Sequence, residues 1–94
     1  MEYIRVRWLH DNPEDPIWLI GELDDERREI RKIEVFSDGS KGYTTAEIEC
    51  GGTRLGSVPV PPLDQIAADP QFVPEPITRE EFEAIWNMRA SCSD

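Results

Sequence analysis

From Tyr3 to Leu9 polar and apolar side chains alternate, with Ile4, Val6 and Trp8 on one face and Arg5 and Arg7 on the other. Successive side chains of a strand point to opposite faces, so this run predicts a half-buried β-strand. Arg5 and Arg7 are then expected to face acidic residues of a neighbouring strand, Glu22 or Glu34. Ile17 to Leu23 is apolar on both faces, with Trp18 and Ile20 on one and Ile17 and Leu19 on the other, and predicts a central strand. Arg27 to Phe36 predicts a third strand, bulged near Arg31 and Lys32 because Ile30 and Ile33 break the period of two. Ser37-Asp38-Gly39-Ser40 supplies turn chemistry, and Tyr43 to Ile48 predicts a shorter fourth strand. The hairpin made by the third and fourth strands is expected to organise the sheet.

The pattern then changes. Cys50 to Gly56 carries three glycines and reads as a loop, and Pro59, Pro61 and Pro62 end any pairing. Pro62 suits the first turn of a helix, and Leu63, Ile66 and Ala67 give the spacing of a two-turn helix that stops before Pro70. Gln71 to Pro76 is expected to be extended, held so by Pro74 and Pro76. Thr78 and Glu81 have the spacing of a capping box, and Ile77 and Phe82 that of a hydrophobic staple. Phe82, Ile85 and Trp86 form the apolar stripe of a helix. That helix is expected to cover the face of Ile4, Val6 and Trp8. The fold class predicted is α+β: a four-stranded, mostly antiparallel sheet with a C-terminal helix and one short helix packed on one face.

A chain of 94 residues suits one domain over residues 1–94, with one modest core. The 38% hydrophobic content argues against disorder despite a charged fraction of 32%. Twenty acidic residues against ten basic ones leave a net charge of −10, which repels phosphate backbones and anionic membranes and favours a basic partner protein. Nucleic acid and membranes are therefore not expected as partners. Cys50 and Cys92 make no disulfide framework, so reduced thiols and a cytoplasmic location are expected. The N-terminus has charges at every second position and is neither a signal nor a transit sequence, and no apolar run approaches the roughly 18 residues of a membrane helix.

Several segments, in this order, resemble a family: Tyr3 to His10, Glu22-Leu23-Asp24, Arg31 to Phe36 with Asp38-Gly39, Gly51 to Gly56, and the closing helix. The chain resembles, over nearly its whole length, a widespread family of small single-domain bacterial proteins known only as a domain of unknown function. The resemblance implies a compact α+β domain in a bacterial cytoplasm, and no established chemistry.

The candidate constellations are three. His10, Asp11, Glu14 and Asp15 fall within six positions; the single histidine excludes a histidine-based zinc set, and the spacing is not that of a calcium loop. No metal, cofactor or catalytic residue is expected there. Cys50 lacks a neighbouring histidine to activate it, and no Ser-His-Asp signature exists. Gly52, Thr53 and Arg54 lie in a glycine-bearing loop that lacks the ending of a phosphate loop, yet Arg54 could hold an anion. Trp18 follows the acidic loop on a strand apolar on both faces. An aromatic anchor rimmed by acids suits a basic partner, unless a homodimer contact or the Pro59 to Pro76 segment covers it.

The functional expectation is a non-enzymatic protein-binding domain. Its contacts would be His10, Asp11, Glu14, Asp15, Trp18, Asp24, Asp25 and Glu26. By analogy of size and charge its concrete form is an immunity protein that neutralises a basic toxin. The alternative is a small anionic-ligand or nucleotide-binding domain using Gly52, Thr53 and Arg54.

Overall fold

A computed structural model describes residues 1–88 of the protein. Six strands form one antiparallel sheet: β1 (Glu2–Trp8), β2 (Trp18–Leu23), β3 (Glu29–Val35), β4 (Lys41–Thr44), β5 (Glu49–Cys50) and β6 (Phe72–Pro76). Among the described residues two helices accompany the sheet, α1 (Leu63–Ala67) and α2 (Arg79–Asn87). The α+β class expected from the sequence is the one found. The strand order is β5-β4-β3-β2-β1-β6, so the first five strands meander and the last returns to the free edge of β1.

Two strands beyond the expected four have identifiable causes. Thr45 turns the chain back by its backbone bond to Ile48, so the predicted run from Tyr43 to Ile48 ends as a strand at Thr44, turns, and is followed by the two-residue β5. β6 contains Pro74 and Pro76, whose missing N–H groups exclude a central strand but not an edge with one partner. Both edges of the sheet are thus short or proline-bearing, which opposes edge-to-edge association. The bulge falls one residue before its expected place: Glu22 pairs with Arg31 and Leu23 with Glu29, leaving Ile30 as the extra residue.

The helices lie on opposite faces of the sheet, not on one. Phe82 of α2 is fully buried with Tyr3, Ile20, Ile33 and Tyr43, and Ile77, Ile85 and Trp86 pack beside them. α2 therefore covers the Tyr3 face, not the Ile4 face expected. Ile4, Val6 and Leu23 turn the other way and meet Val60 of the segment before α1, Leu63 and Ile66 of α1, and Phe72 of β6. Alternation along β1 is compatible with a cover on either side, because Tyr3 is as apolar as Ile4 over most of its surface. The capping box forms as expected: Glu81 N donates to Thr78 Oγ1 at 3.0 Å, and Thr78 N to Glu81 Oε1 at 3.1 Å.

A buried polar group selects the Tyr3 face. Glu22 accepts from the Tyr3 hydroxyl at 3.0 Å and from Arg31 Nε at 2.7 Å. Arg31 also bonds Glu83 of α2, and its guanidinium lies over the rings of Phe82 and Trp86, 4.7 and 5.0 Å from their centroids. One side chain so joins sheet and helix. Arg31, and then the Tyr3 hydroxyl, hold the Glu22 carboxyl below its ordinary value of 4.5, against the opposing effect of burial. Burial, with Glu22 beside it, pushes the Tyr3 phenol above 10.0.

Cys50 packs against the Tyr3-face core and is disulfide-bonded, which replaces the reduced thiol expected there. Linear spacing carries no information on which sulfurs meet in space. Cys92 lies outside the described residues. Among the described residues no helix is long and apolar enough to cross a membrane.

The clamp has a testable pH signature. Glu22 has a lower pKa folded than unfolded, so its contribution is present above the unfolded value and is lost as pH falls below about 4.5. Tyr3 has a raised pKa, so its contribution is present below 10.0 and is lost as pH rises beyond it. Urea unfolding across pH should show both limbs, and Glu22→Gln should flatten the acid one. Arg31→Met leaves Glu22 buried without its cation and should cost about 3 kcal/mol at neutral pH.

Candidate functional site

The acidic β1–β2 loop is a built structure. The His10 ring bridges its two ends, with Nε2 2.7 Å from Pro16 O and Nδ1 accepting from Asn12 N at 3.0 Å. This pattern makes Nε2 the protonated nitrogen. Asn12 donates to Asp15 Oδ2 at 3.1 Å and accepts from Glu14 N at 2.9 Å. Both ring nitrogens of His10 are thereby occupied, and the ring rests edge-on against Trp8 at 4.6 Å. Asp11 and Glu14 are left exposed with their carboxylates toward solvent. Among the described residues no group of three or more His, Cys, Asp or Glu could hold a metal ion.

The second acidic segment does not join the first. Asp24, Asp25 and Glu26 form the β2–β3 turn, at the opposite end of the six residues of β2, about 20 Å of strand away. Asp24 Oδ1 is used within the turn, accepting from Glu26 N and Arg28 N at 2.9 Å. Trp18 faces the α2 side with Arg5 and Arg7, whose guanidinium carbons stand 5.4 and 5.1 Å from its ring centroid. The acidic rim expected around this ring is instead cationic. Strand register places Arg5 and Arg7 across from Ile20 and Trp18. Arg5 pairs with Glu75 of β6, not with Glu22 or Glu34.

The glycine loop separates its expected ligand groups. Gly51 and Gly52 both have positive φ, at 72° and 80°, which suits glycine alone without strain. They turn Thr53 into the protein, where it is fully buried and donates to Glu34 Oε1 at 2.7 Å. Gly42 of β4 is required by this packing, since a Cβ there would stand 2.0 Å from Thr53 Oγ1. Arg54 points outward, 81% exposed, and faces Glu49 at 3.2 Å. Thr53 and Arg54 therefore do not converge on one ligand.

A concavity lies elsewhere, on the Ile4 face. The chain between β5 and α1 crosses that face as a strap held by polar grips. Arg27, in the left-handed region at φ 63°, donates to Val60 O and Pro61 O at 2.8 Å each, and its own carbonyl accepts from Val60 N at 2.8 Å. Glu29 accepts from Gly56 N, and Lys32 Nζ stands 3.4 Å from Arg54 O. Between strap, α1 and sheet remains a mostly apolar cleft of about 340 Å³. Its floor includes Ile4, Val6, Leu19 and Gly21, with Glu29 and Lys32 at one wall. Sequence reasoning missed it, because the proline segment reads only as a wrap. The one signal was Gly21, a glycine in the interior of a central strand.

The loop assignments predict unequal costs. Thr53→Val should lose about 1–3 kcal/mol in urea unfolding, because it leaves Glu34 without its donor. Arg54→Ala, at an exposed pair, should stay within about 0.5 kcal/mol of the parent. Equal costs for the two would remove the structural role given to Thr53.

No curated protein and no solved structure matches the chain. A family model does, over residues 2–91, and it covers the strands, the strap and both helices just described. The chain belongs to the family described as Domain of unknown function (DUF6881).

Proposed function

We propose that this domain is a non-enzymatic protein-binding domain whose partner presents a basic surface. The observation that carries this reading is the fate of the charges. Arg5, Arg27, Arg28, Arg31, Lys32 and Arg54 each face a carboxylate of their own chain. The excess of ten negative charges is left to the surface, and Asp11, Glu14 and Asp25 are exposed and stand in none of these pairs. Such a field speeds encounter with a cationic partner and rejects anionic ones. The His10 and Asn12 bonds fix the β1–β2 loop before contact, so less ordering entropy is lost on binding. Trp18 stands outside this contact, since its guanidinium flank would oppose a basic surface.

The concrete form of the partner is a toxin domain that the protein neutralises, a reading supported by size and charge. The bonded Cys50 removes the reduced thiol on which the cytoplasmic expectation rested, because disulfides are rare where thiols are kept reduced.

Affinity capture against the products of adjacent genes tests the proposal, at low and at high salt. A basic protein should be recovered, with an association rate that falls at least about tenfold on raising the salt. Asp11→Asn with Glu14→Gln keeps every loop hydrogen bond from those residues' backbones and should slow association severalfold. Recovery of no partner under either condition would count decisively against the reading.

A further inference from the structure

We infer that the cleft under the strap is a binding site for a small monocarboxylate with an apolar body, its carboxylate on Lys32. The inference is independent of the partner surface proposed above, which lies on the loops at the ends of the strands.

Three observations converge on it. The first is Gly21. It sits in the centre of β2, directly across from Ile4, and its backbone is outside the left-handed region that would require glycine. A Cβ there would meet nothing closer than 3.8 Å. Neither backbone nor packing demands a glycine, and a glycine inside a strand weakens it. What its missing side chain provides is depth in the floor of the cleft.

The second is the lining. Val6 and Leu19 in the floor and Ile66 and Phe72 around it are apolar, and the volume of about 340 Å³ falls within the range of small-molecule sites, roughly 300–1,000 Å³. It is a little over twice the ~150 Å³ void that holds one benzene, which suits a two-ring or roughly ten-carbon body.

The third is Lys32. Its ammonium has three hydrogens to donate, and its two acceptors both stand at long range: Glu29 Oε2 at 3.5 Å and Arg54 O at 3.4 Å. The side chain is only 19% exposed. Glu29, by contrast, is already used by Gly56 N and Lys32. Lys32 is the cation of a lining that also carries Glu29 and Asp69, and its unfilled hydrogen is the donor that a ligand oxygen completes. Lysine is a compact point charge that holds a single ligand oxygen, and the net charge of −10 opposes a multivalent anion more than a monovalent one. A single carboxylate on a hydrocarbon body satisfies both conditions.

Decanoate, kept well below its micelle-forming concentration, is the probe, with decylamine as its charge-reversed match. Calorimetry on the full chain should give saturable 1:1 binding of decanoate and weaker binding of decylamine. Lys32→Met keeps the apolar stem and should weaken decanoate about tenfold or more, the worth of one hydrogen bond to a charged group. Gly21→Val fills the floor and should abolish binding, with an unfolding midpoint at or above that of the parent. Gly21→Ala adds one carbon at ordinary contact distance and should weaken binding severalfold; it keeps the test decisive if the valine variant fails to fold. No saturable binding of decanoate to the parent chain, decylamine binding as tightly as decanoate, or parental affinity in a folded Gly21 variant would each overturn the inference.

Discussion

The contact between sheet and C-terminal helix turns on Arg31. A carboxylate as deeply placed as Glu22 is tolerable only beside a cation and with its oxygens bonded, and Arg31 and Tyr3 meet both needs. The same guanidinium reaches Glu83 and lies flat over Phe82 and Trp86, so the helix cannot dock in another rotation without uncovering the carboxylate. Apolar burial supplies most of the driving force on this face, and the ion network fixes its geometry. The surrounding aromatic rings, with Tyr3 and Phe82 centroids 5.3 Å apart and Tyr43 and Trp86 5.7 Å apart, fill the space that the network defines.

The two faces of the sheet are covered by different means. On the Tyr3 face a capped helix brings a continuous apolar stripe. On the Ile4 face a proline-bearing strap and a helix of five residues do the work. A strap cannot bond to a sheet face through a ladder, so side chains hold it: Arg27, Glu29 and Lys32 reach up to the backbone between Arg54 and Pro61. Cover of this kind touches the sheet at points, and a cleft remains between the points. The cleft follows from the way this face is closed.

The chemistry of the loops also follows from their place. The residues between β1 and β2 bond among themselves through His10 and Asn12, which leaves Asp11 and Glu14 as the outward groups. The glycine loop is shaped by Thr53 turning inward beneath β4, and Arg54 is outward as a consequence. Reading side chains by proximity in sequence grouped Trp18 with the acids that precede it. Strand pairing grouped it with Arg5 and Arg7, and pairing is what sets the environment of a ring on a sheet.

The sequence by itself determined the elements whose signals are local: the alternation of β1, the central character of β2, the Asp38-Gly39 turn, the Pro62 start of α1 and the Thr78–Glu81 cap of α2. It determined the acidic balance of the chain. Only the tertiary structure decided which face each helix covers, that a proline-bearing segment closes the sheet edge beside β1, and which carboxylates the arginines meet. Those choices rest on contacts between residues far apart in the chain, such as Arg31 with Glu83 or Arg27 with Val60. Periodicity along a strand reports that there are two faces. What lies on each is settled by packing and by the need to satisfy buried charge.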